Sequence, residues 1–311
     1  MEEKGKGLKP MRIVVTGGAG FIGSRLVRAL LERGDEAIVI DDLSTGDAGR
    51  LPAGVEIHRL RAEDAGTAEL IASVRPRVVF HLAAQVGMGS SVKFPADDGR
   101  SNIVGTLRVL EGCREAGSKL VFSSTSGVYG DSSRSRPLGE SSPKRPSAPY
   151  GLSKWVAEQY IGFAEKWWGI PYTILRYANV YGPGQAARGE GGVVACFMER
   201  IANGLPLVVH GDGEQSRDFV HVDDVVKANL AAIDRGDGEA FNIGTGIATS
   251  INGLADRCER LAAASCGRIY EPARSGDVRC SRLSSRKAEA ALAWRPSISL
   301  DEGLSRLFGG S

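Results

Sequence analysis

Tyr150 and Lys154 lie four apart in Tyr150-Gly151-Leu152-Ser153-Lys154, and on a helix that spacing sets both side chains on one face. A tyrosine of pKa ~10 is a poor base at neutral pH, and a nearby ammonium that stabilises phenolate makes it a usable proton acceptor. Taken alone, the pair fits a solvated helix face better than a site. What shifts the balance is Ser123-Ser124-Thr125-Ser126-Gly127-Val128-Tyr129-Gly130 after a preceding apolar run, because ligands of parallel α/β sheets bind at the carboxyl ends of strands. A second constellation suits a pyrophosphate. Thr16-Gly17-Gly18-Ala19-Gly20-Phe21-Ile22-Gly23 directly follows the first apolar run and opens a helical pattern. Gly17 permits the tight turn, Gly20 lets a pyrophosphate approach the positive helix end, and Gly23 allows helix and strand to pack. The spacing is GxxGxxG, not GxGxxG. Asp41, about 20 residues further on, can accept both adenosine ribose hydroxyls and repel a 2′-phosphate, which favours NAD over NADP. Asp42 beside it could merely cap the next turn.

The elements that must position these residues follow from the apolar pattern. Runs at Arg12–Thr16, Ala37–Asp41, Arg77–His81 and Lys119–Ser123 predict buried parallel strands. Leu26, Leu30 and Leu31 recur at helical spacing, as do Ile103, Leu107, Leu110 and Cys113. Alternation of strand and helix predicts an α/β fold with a doubly wound parallel sheet of Rossmann type. Beyond residue 176 shorter, Gly- and Pro-rich segments predict a smaller C-terminal α/β substrate lobe. The expected division is an N-terminal extension at 1–10, a cofactor domain at 11–176 and a substrate lobe at 177–311, with the chain crossing between lobes and the site in the cleft. Asp131 to Pro149 reads as a long surface loop.

A chain of 311 residues has the length for a core and a second lobe. Its net charge of +2 with scattered basic residues gives no nucleic-acid footprint. No stretch approaches the ~18 uninterrupted apolar residues of a membrane span, and a cytoplasmic protein is expected. Cys113, Cys196, Cys258, Cys266 and Cys280 lack metal-ligand spacing and read as structural thiols. His58, His81, His210 and His221 are each isolated and read as structural; no metal is expected. Asp223-Asp224 before Val225-Val226 reads as a helix start. The segments around Asn102–Glu115 and Tyr150–Lys166 carry apolar residues beyond one core face, including Trp155, Phe163, Trp167 and Trp168, so a homodimer is expected. Core packing against the sheet is the alternative.

The glycine loop, His81-Leu82-Ala83-Ala84, the hydroxyl run, Tyr150/Lys154 and Arg176-Tyr177-Ala178-Asn179-Val180-Tyr181-Gly182-Pro183 together resemble the UDP-glucose 4-epimerases and their extended short-chain dehydrogenase/reductase relatives. Gly211 to Phe219, Phe241-Asn242-Ile243-Gly244 and Arg274-Ser275-Gly276-Asp277-Val278 continue the resemblance. It implies Tyr150 as proton acceptor, Lys154 on the nicotinamide ribose and depressing the Tyr150 pKa, and Thr125 on the reacting sugar hydroxyl, with Ser124 a close competitor. It implies NAD contacts from Gly17, Gly20, Phe21, Ile22, Gly23, Asp41, Asp42, Leu43, Ser44, Thr45, Gly46, Asp64, Leu82, Ala83, Ala84, Asn102, Ser123, Tyr177 and Val180. For a UDP-sugar it implies Ser124, Thr125, Tyr150, Asn179, Val193, Val194, Arg217, Arg274, Asp277 and Ser281. The chain departs from the family in two places. Leu60-Arg61-Ala62 replaces the usual Gly-Asp-Ile/Val, so either Asp64 meets the adenine or the cofactor is held differently. Seven residues after Arg274 stands the small Ser281, where the family commonly has a large aromatic, and its volume would tolerate an N-acetyl group.

The implied activity is 4-epimerisation of a UDP-sugar, UDP-glucose/UDP-galactose with their N-acetyl forms as an open extension, through a transient 4-keto sugar. Alternatives are a nucleotide-sugar dehydratase or decarboxylase, disfavoured by the absence of an acid in Thr125-Ser126-Gly127, a uronate 4-epimerase, or a non-catalytic NAD-binding sensor.

Overall fold

The computed structural model describes residues 10–132, 136–187, 192–274 and 276–309; most of the expected N-terminal extension lies outside them. The first half runs β1 (Arg12–Thr16), α1 (Phe21–Glu32), β2 (Glu36–Ile40), β3 (Glu56–His58), α2 (Ala65–Val74), β4 (Val78–His81), α3 (Met88–Lys93), α4 (Pro95–Gly99), α5 (Gly105–Ala116), β5 (Lys119–Thr125), α6 (Pro149–Trp168) and β6 (Tyr172–Tyr177). Then come β7 (Asn179–Tyr181), α7 (Val193–Ala202), β8 (Leu207–His210), β9 (Ser216–His221), α8 (Val222–Ala231), β10 (Glu239–Ile243), β11 (Ala248–Ser250), α9 (Ile251–Leu261), β12 (Arg268–Glu271), α10 (Arg286–Leu292) and α11 (Leu300–Phe308). Seven strands form one parallel sheet in the order β10-β6-β5-β4-β1-β2-β3, the doubly wound arrangement expected of a Rossmann fold. A three-stranded sheet, β11-β9-β7, and a two-stranded one, β12-β8, are built from the later chain, while β10 returns to the edge of the large sheet.

Strand side chains alternate between faces. Ile13 and Val15 join Leu26, Leu30, Val225 and Ala228 beneath α1 and α8, whereas Val14 joins Ile71, Leu110, Cys113 and Ile161 beneath α2, α5 and α6. A third cluster around Tyr181, Phe197, Phe219 and Leu254 holds the smaller sheets.

The predicted elements recur with shifts of a residue or two at their ends. The helix expected around Ile103 begins as a π-helical turn, Arg100–Val104, before α5. There Thr106 Oγ1 donates to the Asn102 carbonyl at 2.7 Å, and a side chain competing for a ladder carbonyl loosens the helical register. Among the described residues no helix is long and apolar enough to cross a membrane. Trp155, expected on an outer face, is instead half-buried against the core.

Arg176 on β6 and Glu158 on α6 form a buried ion pair, 2.6 Å apart with side chains 5% and 2% exposed. Ser124 donates to the same carboxylate at 2.5 Å, and Arg176 donates to Tyr129 Oη at 2.8 Å. Burying two charges is tolerated only with this level of mutual satisfaction. Glu158→Ala, which strands the guanidinium, is expected to lower unfolding stability by about 3–5 kcal/mol; a Glu158→Leu/Arg176→Met double variant should recover most of that loss in a urea titration.

Candidate active site

The glycine loop joins β1 to α1, and its shape follows from what a side chain would meet. Gly17 has φ +70°, and a Cβ there would sit 2.6 Å from the Ala83 nitrogen. A Cβ on Gly23 would collide with the Gly17 carbonyl oxygen. Gly20 caps α1 without any side-chain acceptor, leaving the first-turn N–H groups at Phe21 and Ile22 for an anion. Loop backbone, helix N-terminus and the adjoining Leu82-Ala83 segment thus form a cradle that fits a dinucleotide pyrophosphate.

Asp41 directly follows β2, and its carboxylate is partly engaged. One oxygen accepts the Ala19 N–H at 2.9 Å and the other the Leu43 N–H at 2.9 Å. Leu43 is held at φ +57°. Asp41 therefore braces the glycine loop against the Leu43-Ser44-Thr45-Gly46 turn, with one lone pair on each oxygen still open to a further donor. Asp42 caps that turn, accepting Ser44 N–H and Oγ–H. After β3, Ala62 is buried against Gly105, Asp64 accepts the Arg61 N–H at 2.8 Å, and Arg61 lies 3.7 Å from Asp42.

Beneath the loop runs a hydrogen-bond chain whose direction can be assigned. Thr106 spends its proton on the Asn102 carbonyl, so it accepts from His81 Nε2 at 3.2 Å; His81 Nδ1 then accepts from Thr16 Oγ1 at 2.7 Å, and Thr16 accepts the Ala83 N–H at 3.2 Å. Burial first, and Lys154 second, hold the imidazole pKa down to about 3. It is neutral, with the proton on Nε2.

Thr125, Tyr150 and Lys154 come together at the carboxyl end of β5 and the first turn of α6. Tyr150 is hydrogen-bonded to Thr125, and burial pushes its pKa up to about 12. Burial pulls Lys154 down to about 7 against the raising influence of Asp98 and Glu158; its ammonium lies 4.5 Å from the centre of the Phe122 ring. Ser124 turns the other way, its hydroxyl committed to Glu158. Ser123 and Asn229 both bond the buried Tyr177 hydroxyl. Asn102 Nδ2 reaches the Gln85 carbonyl and Ser153 Oγ, both at 3.0 Å.

The second-lobe candidates come from β7, α7, β9 and the chain after β12, and the last of these is threaded between two neighbours. Ser216 N–H donates to the Arg279 carbonyl and Ser281 N–H to the Ser216 carbonyl, while Ser132 and Leu138 bond Cys280 and Arg282 from the other side. Below lies Asp218, fully buried, accepting from Thr245 N–H and Oγ–H, Gly246 N–H and Leu283 N–H. Arg217 and Asp277 are ion-paired to each other. Arg274 donates to His210 Nε2 at 2.7 Å, so His210, taken from sequence as an isolated structural residue, stands beside a candidate diphosphate ligand. Asn179 is exposed at the start of β7, with Val180 half-buried next to it. Val194 is buried in the third core cluster, Val193 packs at its edge, and Ser281 is buried. Ser275 lies outside the described residues. Among the described residues no group of three acidic, cysteine or histidine side chains could hold a metal.

Sequence reasoning passed over Asp98 and Ser153. Asp98 stands one helical turn before Asn102 and Ser153 next to Lys154, a spacing that carries the signal only once the helices are known to pack together.

Residues 13–244 match the NAD dependent epimerase/dehydratase family. The chain is 39% identical to a UDP-glucose 4-epimerase of Mycolicibacterium smegmatis over 95% of its own length and 97% of the relative. A UDP-glucose 4-epimerase of Thermotoga maritima, solved with UDP-glucose, superposes with TM-score 0.94 at 45% identity, covering 96% of this chain and 98% of that one. The Thermus thermophilus UDP-glucose 4-epimerase, solved with NAD, gives 0.92 at 38% identity, covering 97% and 100%.

Gly17→Ala is expected to force the loop away from Ala83, lowering stability by about 1–3 kcal/mol through the left-handed backbone and weakening NAD binding, both measurable by thermal melts with and without NAD. The cradle, the Tyr150–Lys154 pair and these similarities agree: the chain is an NAD-dependent enzyme that belongs to the NAD dependent epimerase/dehydratase family.

Proposed function

We propose that the protein is a UDP-sugar 4-epimerase acting on UDP-glucose/UDP-galactose, with room for their N-acetyl forms. The observation that carries this is Tyr150, hydrogen-bonded to Thr125 and one helical turn from Lys154, beside the dinucleotide cradle. NAD, when bound, supplies the acceptor and donor of the C4 hydride. Thr125 holds the C4 oxygen, Tyr150 takes its proton on oxidation and returns it on reduction, and Lys154 donates to the nicotinamide ribose while its charge favours phenolate. For inversion the 4-keto sugar must present its other face, so the nucleotide is held firmly and the sugar loosely. Asn179, Arg217, Arg274 and Asp277 are the nucleotide anchors of this reading, since an arginine fork can give a diphosphate two bonds at once. The small Ser281 leaves space at C2.

In this division residues 11–176 hold the cofactor and 177–311 the nucleotide sugar, with β10 crossing back to the large sheet. A dehydratase or decarboxylase is disfavoured by the absence of an acid among Thr125, Ser126 and Gly127.

The same helix that carries Tyr150 supports a homodimer. Leu152, Val156, Tyr160, Phe163 and Trp167 form one stripe along α6, with Trp167 71% and Phe163 58% exposed. A Phe163→Glu/Trp167→Glu variant should shift the light-scattering mass from about twice the 32.9 kDa chain to a single chain; an unchanged mass would remove this face as the interface.

The test of the reaction is NMR of UDP-galactose and UDP-N-acetylgalactosamine incubated with the protein. The gluco epimer should appear without net NADH, Tyr150→Phe should lower kcat by about 100- to 10,000-fold, and Ser281→Tyr should remove turnover of the N-acetyl sugar first. A keto product that accumulates would favour the dehydratase instead.

A further inference from the structure

Lys154 poses a problem of charge. Its side chain is buried, 3% exposed, against the face of Phe122, and a buried ammonium needs a counter-charge. Three titratable groups face it besides Tyr150. From the end of β4 comes His81, which is neutral and donates its one N–H to Thr106. One turn along α6 comes Glu158, whose oxygens are taken by the Arg176 fork at 2.6–3.2 Å and by Ser124, so its charge is already balanced by a guanidinium. From α4 comes Asp98, 1% exposed.

Asp98 has no ion-pair partner within 4 Å among the described residues. Its carboxylate accepts from Asn102 Nδ2 at 3.1 Å, and Asn102 also donates to Ser153 Oγ at 3.0 Å, which joins the π-turn to α6. A carboxylate so deep, with only an amide donor, lacks its own counter-charge as much as Lys154 does. Burial accordingly raises its pKa, while Ser153, Lys154 and Asn102 pull it back.

We propose that Asp98 is the electrostatic partner of Lys154, a positioning residue that keeps the lysine an ammonium and so governs the proton affinity of Tyr150. The proposal rests on the assignment of Tyr150 and Lys154 as the proton-handling pair. Asp98 acts in two opposed directions. It disfavours a Tyr150 phenolate directly, and it favours one by keeping Lys154 charged. The first effect is constant over the range where Lys154 is losing its proton, whereas the second switches a whole charge there, so the pH-dependent part of the Asp98 influence is the second.

The sign can be worked out. Lys154 lies near 7 in the folded protein, so at neutral pH its charge is only partly retained, and removing the Asp98 charge lowers that value further. Below the lowered value Lys154 is still an ammonium and the variant loses nothing; above it the ammonium is gone and phenolate loses its support. Asp98→Asn keeps the shape and the acceptor oxygen while removing the charge. Lysine labelled with ¹³C at Cε reports the protonation of Lys154 directly, with Lys154→Met assigning its signal. In Asp98→Asn the midpoint should fall by about one pH unit, and kcat/KM for the 4-epimerisation should fall about tenfold at pH 8 with the loss shrinking toward pH 6. An unchanged Lys154 midpoint overturns the proposal whatever the enzyme turns over. If no sugar is epimerised but the midpoint falls, the pairing stands and the assigned reaction fails. Should Asp98→Asn not fold, the reciprocal measurement decides, because coupling is mutual: in Lys154→Met the Asp98 carboxyl midpoint, followed by ¹³Cγ, must rise, and a static midpoint overturns the pairing.

Discussion

The neutral His81 is the constraint on which the site's geometry depends. Its ring stands between Thr16 at the end of β1 and Thr106 on α5, so the strand that launches the cofactor loop and the helix that leads back to Asn102 are set at a fixed separation. Each hydroxyl in this chain donates once and accepts once, which leaves no freedom of proton position. From Asn102 the order passes to Gln85 and Ser153, and so to the turn of α6 that presents Tyr150 and Lys154. A protonated imidazole would present two donors and break the chain at Thr16. Deep burial prevents this throughout the neutral range. The glycine loop and the Tyr150–Lys154 turn are therefore joined by one continuous hydrogen-bond chain.

The large sheet was legible because its strands are buried on both faces and its helices amphipathic, so apolar runs at Arg12–Thr16 and Lys119–Ser123 could have few other fates. The cofactor loop was legible because glycine leaves a trace where backbones approach closely, as Gly17 does at Ala83. Less was legible where function depends on contacts between distant segments. Nothing local to Asp98 distinguishes it from the neighbouring, more exposed Asp97, and only the packing of α4 on α6 separates them. Likewise, Ser124 and Thr125 are adjacent hydroxyls on one strand; alternation across the pleat sends one to Glu158 and the other to Tyr150. His210 shows the same limit from the other side, since its partner Arg274 is 64 residues away.

The later chain is organised by a different device. Asp218 gathers donors from Thr245, Gly246 and Leu283, in two segments with little regular structure of their own, and Asp224 does the same for Ser297 and Ile298. Buried carboxylates with several backbone donors act as knots here, compensating for short strands that bury little surface. The threaded segment around Ser281 is thereby held in register with Ser216 and with Ser132 and Leu138, although the isolated bridges that define it are single pairs.

Arg217 and Asp277 are already paired with each other, and on the proposed function this pair is an internal stand-in for the ligand. In that reading an arriving diphosphate takes the arginine fork from a carboxylate already in place, and the released carboxylate is then free for the ribose hydroxyls. Binding is thus an exchange of one salt link for another. Added salt screens the link that is lost as well as the link that is gained, so nucleotide affinity should vary less with ionic strength than a count of arginines in the cleft would suggest. The same exchange lowers the barrier to leaving: the departing nucleotide hands Arg217 back to a waiting partner, and the lobe that must grip firmly through sugar rotation can still let go of its product.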